Sequence, residues 1–196
     1  MSKNVMVVGT GTIGEPLIGL LAEHKDALGL DNVLFFKRTP LSDEKGKVEA
    51  LLRKGSKIVS TADALSDFKQ LGFSDIEDVE NAYEDVDVII DCTPSGNDNW
   101  KSIYSSLDQS KRFMAQGSEH GFGPFFAWGI NNDILENESN KYLIASCNTH
   151  NIASIVKTFA LDQSRELAEG QFVCLRRAND VSQNDSFSPS PTITKH

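Results

Sequence analysis

The chain reads as an α/β protein, with a doubly wound, mostly parallel sheet followed by the beginning of an α+β region. Three observations predict this. Short apolar runs alternate with amphipathic segments of helical spacing over roughly the first half of the chain. A glycine cluster, Gly9-Thr10-Gly11-Thr12-Ile13-Gly14, falls between the first apolar run and the first helical segment. Past residue 146 the alternation gives way to one long helical pattern and a polar stretch rich in Ser and Pro. These features predict a boundary between residues 1–146 and 147–196.

The elements follow in order. Residues 4–8 form a buried strand, and 13–24 a helix with Ile13, Leu17, Leu20 and Leu21 at helical spacing. A second strand covers 33–37, a helix 44–53 and a short strand 56–60. Two helices are expected over 62–71 and 76–83. Val86-Asp87-Val88-Ile89-Ile90-Asp91 is a strong buried strand that ends in the turn Thr93-Pro94-Ser95-Gly96. A helix over 100–107 and a strand over 112–115 come next. Residues 116–131 are irregular, and 142–145 form the last strand of this part. One helix spans 148–165 with Ile152, Ile155, Val156 and Phe159 on a single face. A strand is expected over 170–178, and 179–196 is polar and aperiodic. A helix and one strand cannot close a second core. The expectation is therefore a chain that stops inside its second domain or is completed from elsewhere, the alternative being a natural disordered tail.

Composition narrows the function classes. The 196 residues are 39% hydrophobic and 24% charged, an ordinary globular balance. A net charge of −9 argues against nucleic acid or an anionic membrane as the main partner, since both select a basic face. Cys92, Cys147 and Cys174 are odd in number, widely spaced and without a CxxC pair, so neither a disulfide framework nor a metal site is implied. No segment approaches the ~20 apolar residues that span a bilayer. The opening residues lead directly into a strand, without a secretory leader. A cytoplasmic, reducing setting is expected.

The glycine cluster is a GxGxxG in the context that the motif requires, after a strand and opening a helix. Gly9 allows the tight turn, Gly11 lets the backbone approach a pyrophosphate, and Gly14 permits close helix–sheet packing. An NAD-selective site places Asp or Glu at the end of the second strand, about 20 residues on, to hold the ribose 2′-hydroxyl. Here Lys37, Arg38 and Thr39 stand instead, a set that suits a 2′-phosphate. NADP is thus the expected cofactor, with NAD as the alternative. Asp91-Cys92-Thr93-Pro94 ends another strand at the same sheet edge, and Cys92 reads as a packed strand residue. Gln116-Gly117-Ser118 ends the next strand, where Gly117 lets a backbone approach the nicotinamide end.

Cys147 is the most informative single residue. In Ile144-Ala145-Ser146-Cys147-Asn148-Thr149 an apolar strand gives way to a helix, which places its sulfur at a helix N-terminus. Unpaired amides and the positive end of the helix dipole favour a thiolate there. A nucleotide site and an activated thiol in one chain point to aldehyde oxidation through a thioester.

The chain resembles the archaeal-type (type II) glyceraldehyde-3-phosphate dehydrogenases, which are phosphorylating and NAD(P)-dependent. The resemblance rests on Gly11-Thr12-Ile13-Gly14, Asp87-Val88-Ile89-Ile90-Asp91-Cys92-Thr93-Pro94, Gln116-Gly117, Ser146-Cys147-Asn148-Thr149 and Arg176-Arg177-Ala178, which occur in family order. It implies a Rossmann domain over 1–146 and the N-terminal part of an α+β catalytic domain over 147–196. It also implies cofactor contacts from Thr12, Ile13, Gly117 and Arg176. Substrate contacts would come from Ser146, Asn148 and Arg177, with Cys147 as nucleophile. The implied partners are a phosphorylated aldehyde and inorganic phosphate, within a homotetramer. The family's catalytic histidine would lie past residue 196. One departure stands out: His150 and Asn151 follow Cys-Asn-Thr where the family usually has Thr and Gly. Two other readings stay open, an aspartate-semialdehyde type of dehydrogenase and a non-catalytic NADP-binding module. The residues around Cys147 count against the first.

Overall fold

The computed structural model describes residues 3–94, 96, 98–116, 121–161 and 166–173. The chain divides into two compact units, Met1–Ala145 and Ser146–His196.

The first unit is built on a parallel sheet. Its strands are β1 (Asn4–Val8), β2 (Asn32–Phe36), β3 (Lys57–Ser60), β4 (Ile76–Asp78), β5 (Val88–Asp91), β6 (Arg112–Gln116), β7 (Phe125–Phe126) and β8 (Lys141–Ile144). Their spatial order is β4-β3-β2-β1-β5-β6-β8-β7, and every pairing is parallel. This is a doubly wound, Rossmann-type α/β sheet. The chain leaves β1 in one direction to build β2–β4, then returns to β1's other side with β5. That reversal opens a crevice beyond the carboxyl ends of β1, β2 and β5.

Strands covered on both faces read as unbroken apolar runs, because alternate side chains enter opposite layers. In β1, Met6 and Val8 join Leu34, Val59 and Ile89 in one layer, and Val7 joins Val33, Phe35 and Ile58 in the other. Helices α1 (Gly14–Glu23), α2 (Lys45–Arg53) and α3 (Leu65–Gln70) cover the Val7 layer through Ile18, Ala22, Val48, Leu51 and Phe68. Helix α4 (Val79–Asp85) covers the Met6 layer through Val79, Ala82 and Tyr83. Tyr104 and Trp100 extend that layer, Trp100 lying edge-on to Phe113 at 5.3 Å and to Phe122 at 5.6 Å between centroids. The end of α4 is held by Lys111, whose buried ammonium donates to the Glu84 and Val86 carbonyls at 3.1 and 2.8 Å.

Several elements differ from the sequence expectation. The helix expected over 76–83 is strand β4 followed by α4. Asp78 is extended (φ −70°, ψ 132°) and its side chain caps the Glu80 amide, so helix begins only after it. The segment 100–107 is a four-residue helix, α5 (Asn99–Ser102), and a 3-10 turn over Tyr104–Ser106, separated by Ile103 at φ −133°. Within the irregular stretch, Phe125–Phe126 pairs with β8 as an edge strand.

In the second unit, helix α6 runs Cys147–Phe159, shorter than the expected 148–165. The Ala160 and Leu161 amides both turn back to the Val156 carbonyl, at 2.9 and 3.0 Å, and close its last turn. Residues 162–165 lie outside the described set. The strand expected over 170–178 is not formed by 170–173, which make no ladder with the described residues; 174–178 lie outside them. The apolar face of α6 is not buried, with Phe159 76% exposed. Among the described residues, no helix is long and apolar enough to cross a membrane.

The close contact of α1 with the end of β1 gives a direct test. A Cβ on Gly14 would stand 1.8 Å from the Gly9 carbonyl oxygen, a backbone atom that cannot swing away. Gly14→Ala is expected to lower the unfolding free energy by about 3 kcal/mol in a urea titration; unchanged stability would contradict this packing.

Candidate functional site

The crevice at the carboxyl edge of β1, β2 and β5 holds a cavity of about 250 Å³. Three chain segments wall it, each leaving a strand. Val8 ends β1, with Gly9 and Thr10 after it; Phe36 ends β2, with Lys37, Arg38 and Thr39 after it; Thr93, Pro94 and Asn99 follow β5. Tyr83 and Ile103 complete it from the Met6 layer. That volume suits a nucleoside half of a ligand, since whole ligands usually occupy ~300–1,000 Å³.

The glycine turn explains itself residue by residue. Gly9 has φ +99°, a conformation that side chains oppose, and a Cβ there would press to 3.2 Å on the Cys92 carbonyl. Gly14 is required by packing, as above. Gly11 is different: a Cβ on it would meet no protein atom within 4 Å. Packing does not ask for glycine at that position, whereas close approach of a ligand does. Thr12 and Ile13 beside it are exposed. The first intrahelical bond of α1 runs from the Glu15 amide to the Gly11 carbonyl at 3.0 Å. The amides of the preceding residues therefore form the donor array that a helix start offers to an anion.

The segment after β2 carries the cations. The Lys37 amide donates to Val59 at 3.0 Å and its carbonyl accepts from Ser60 Oγ at 2.7 Å, so the backbone is fixed by β3. The Lys37 side chain is buried and its ammonium is bonded to Glu44. Lys47 Nζ bonds the other Glu44 oxygen and also donates to the Thr10 carbonyl at 3.1 Å. The two lysines, Lys37 first, hold the Glu44 carboxyl below the usual carboxylate range. Arg38 and Thr39 are exposed beside the cavity, and Arg38 makes no ion pair among the described residues. Among the described residues, no acidic side chain lines the cavity.

The segment after β5 is braced by Asp91, a buried carboxylate at the strand end. Its Oδ1 accepts from the Thr93 amide at 2.8 Å and from Thr93 Oγ1 at 2.6 Å. Its Oδ2 accepts from Asn99 Nδ2 at 2.8 Å and from the Tyr104 hydroxyl at 2.9 Å. Four neutral donors thus replace water around one buried charge. Burial, with Asp91 beside it, pushes the Tyr104 hydroxyl far up, so it stays a donor. Burial, then Asp91, pushes the Cys92 thiol up to about 12, which keeps it protonated at neutral pH.

In the second unit, Ser146 caps α6. Its backbone is extended (φ −61°, ψ 159°), and its Oγ accepts from the Thr149 amide at 3.3 Å and lies 2.9 Å from Thr149 Oγ1. Cys147 is the first helical residue and is exposed. The Cys147 and Asn148 amides are among those a helix start leaves without an intrahelical acceptor. His150 sits one turn in, with its amide bonded to the Ser146 carbonyl at 2.8 Å.

Of the residues singled out from the sequence, Gly9, Lys37, Arg38 and Thr39 meet at the cavity, with Gly11, Thr12, Ile13 and Gly14 on the adjoining turn. Ser146, Cys147 and Asn148 stand together at the start of α6. Gly117, Arg176 and Arg177 lie outside the described residues. Sequence reasoning did not single out Glu44, Lys47, Asn99 or Tyr104, and it passed over the part played by Asp91. A charged residue closing a buried apolar strand, with Thr two positions later, was the available signal for Asp91.

No family model matches the chain. Among curated proteins it is similar to a glyceraldehyde-3-phosphate dehydrogenase of Pyrobaculum calidifontis, with 28% identity over 199 residues, covering 95% of this chain and 55% of the relative. The Sulfolobus acidocaldarius protein of the same name is 28% identical over 183 residues, covering 91% of this chain and 50% of the relative. The Methanobrevibacter smithii protein is 24% identical over 191 residues, covering 92% and 52%. A solved structure from Sinorhizobium meliloti 1021, provisionally titled an alcohol dehydrogenase, overlaps 81% of this chain at 16% identity and a TM-score of 0.38, too loose to argue from. The chain spans about half the length of the curated relatives it matches. Along nearly its whole length, then, this sequence is similar to the archaeal glyceraldehyde-3-phosphate dehydrogenases.

Proposed function

We propose that the chain supplies the cofactor-binding and nucleophile segments of a phosphorylating dehydrogenase. Its reaction would be the oxidation of glyceraldehyde 3-phosphate to 1,3-bisphosphoglycerate with NADP, or with NAD, through a cysteine thioester. The observation that carries the reading is the cavity walled by the glycine turn and by the cationic end of β2. Gly11 fits the reading because its missing side chain is not needed by any protein neighbour. The preference for NADP is supported by Lys37, Arg38 and Thr39 at the cavity and by the absence of an acidic residue among the described lining residues. The resemblance adds a homotetramer working in the cytoplasm.

The chain's own residues have distinct parts in this chemistry. The glycine turn and the start of α1 hold the pyrophosphate, and Arg38 with Thr39 reads the 2′-phosphate. The Cys147 sulfur attacks the aldehyde carbon and forms a thiohemiacetal. The open amides at the start of α6, with Asn148, donate to the oxygen that gains charge. Loss of hydride then leaves an acyl thioester on Cys147; the nicotinamide, when bound, is the group that accepts that hydride. Phosphate attack on the thioester carbonyl frees the sulfur and yields the acyl phosphate. Ser146 and Arg177 orient the phosphorylated substrate and Arg176 contacts the cofactor, the arginines through planar forks of N–H donors.

Cofactor binding is checked by calorimetric titration of the chain with NADP and NAD. One cofactor per chain is expected, with NADP the tighter. Gly11→Ala should leave the melting temperature unchanged and weaken both cofactors at least about tenfold, because an added methyl fills the approach to the pyrophosphate. Equal affinity in the Ala variant would contradict the turn's assigned part. The nucleophile is checked separately. Iodoacetamide at pH 8, followed by peptide mapping, should modify Cys147 and spare Cys92, whose thiol burial pushes up to about 12. In the full-length form, Cys147→Ser should abolish NADPH formation from glyceraldehyde 3-phosphate and phosphate while NADP still binds. Retained turnover would exclude the covalent route.

A further inference from the structure

Glu44 has no part in the chemistry above, yet it joins three elements at the mouth of the cavity. It closes the 3-10 turn Ser42–Glu44, which leads from β2 into α2. One carboxylate oxygen takes the Lys37 ammonium at the end of β2, and the other takes Lys47 in α2. Lys47 then reaches the Thr10 carbonyl in the glycine turn at 3.1 Å. The lysine side chains are 8% and 22% exposed and Glu44 is 28% exposed, so the trio is only partly screened by water. Two cations and one carboxylate leave a single net positive charge where the side chains alone would offer two.

We infer that Glu44 sets the choice between the two cofactors, as an internal counter-anion that occupies the lysines a 2′-phosphate would use. The inference rests on the reading that this cavity takes a nicotinamide dinucleotide. A 2′-phosphate brings nearly two negative charges close to Lys37. It must share the ammonium groups with a carboxylate that already holds them, and that carboxylate repels it. A 2′-hydroxyl is neutral and feels neither effect. The pyrophosphate is common to both cofactors, so the ratio of their affinities isolates what happens at the 2′ position. Glu44 thus holds down the advantage that Lys37 and Arg38 give to NADP and keeps NAD within use.

The test is calorimetric titration of the chain and of Glu44→Gln with NAD and with NADP. Gln keeps the length and the hydrogen-bonding oxygen and removes the charge. The NADP dissociation constant should fall about tenfold while that for NAD changes less than about twofold. Lys47→Met changes the charge the other way and should shift the ratio toward NAD; it also serves if the Gln variant does not fold. An unchanged ratio in both variants overturns the inference. So does equal weakening of both cofactors, which would make Glu44 a structural brace. Loss of NAD affinity alone overturns it as well, since Glu44 would then be holding the ribose hydroxyl. Binding of neither cofactor to the unsubstituted chain would fail the dinucleotide reading itself, and is told apart because no variant is needed to see it.

Discussion

The site depends on how closely helix α1 approaches the end of β1. The Gly14 Cα lies over the Gly9 carbonyl so tightly that no side chain fits between them. That contact fixes the turn, and the turn fixes everything that points into the crevice. With the helix start drawn against the strand end, the Gly11 backbone faces open space and the amides before Glu15 are left as donors. A longer turn would separate the helix dipole from the sheet edge and lose the anion site that the reading requires.

Around this turn the molecule spends its buried polar groups on holding loops still. Asp91 ties the segment after β5 to Asn99 and Tyr104, and Ser60 holds the Lys37 carbonyl in the segment after β2. Asp91 does not line the cavity, but it fixes the wall that Thr93 and Asn99 form. The walls are therefore set before any ligand arrives, which reduces the ordering cost of binding. The α6 start is preset in the same way by Ser146, whose hydroxyl engages Thr149 and leaves the amides of Cys147 and Asn148 at the helix tip.

The sheet was legible in the sequence because strands covered on both faces read as unbroken apolar runs, as in Val5–Val8 of β1 and Val88–Ile90 of β5. The glycine turn was legible because few other structures need that spacing after a strand. Edge strands were not. β4 and β7 are three and two residues long and carry no periodicity that separates them from helix or loop. The end of α6 was also misjudged, since the apolar spacing continues past Phe159 whereas the backbone turns back at Val156. Lys37 shows a subtler limit. Its type and position suit a phosphate, but its ammonium is held by Glu44, seven residues on. Sequence displays which charges lie near a turn; their pairing depends on where the following 3-10 segment folds back.

The most direct measurement of the central claim is a backbone amide chemical-shift map of the isotope-labelled chain titrated with 2′,5′-ADP, the fragment that carries the adenosine and both phosphates. The account predicts saturable shifts concentrated on Gly9, Thr10, Gly11, Arg38, Thr39 and Thr93. Shifts that fall elsewhere in the sheet, or none at saturating fragment, would contradict it.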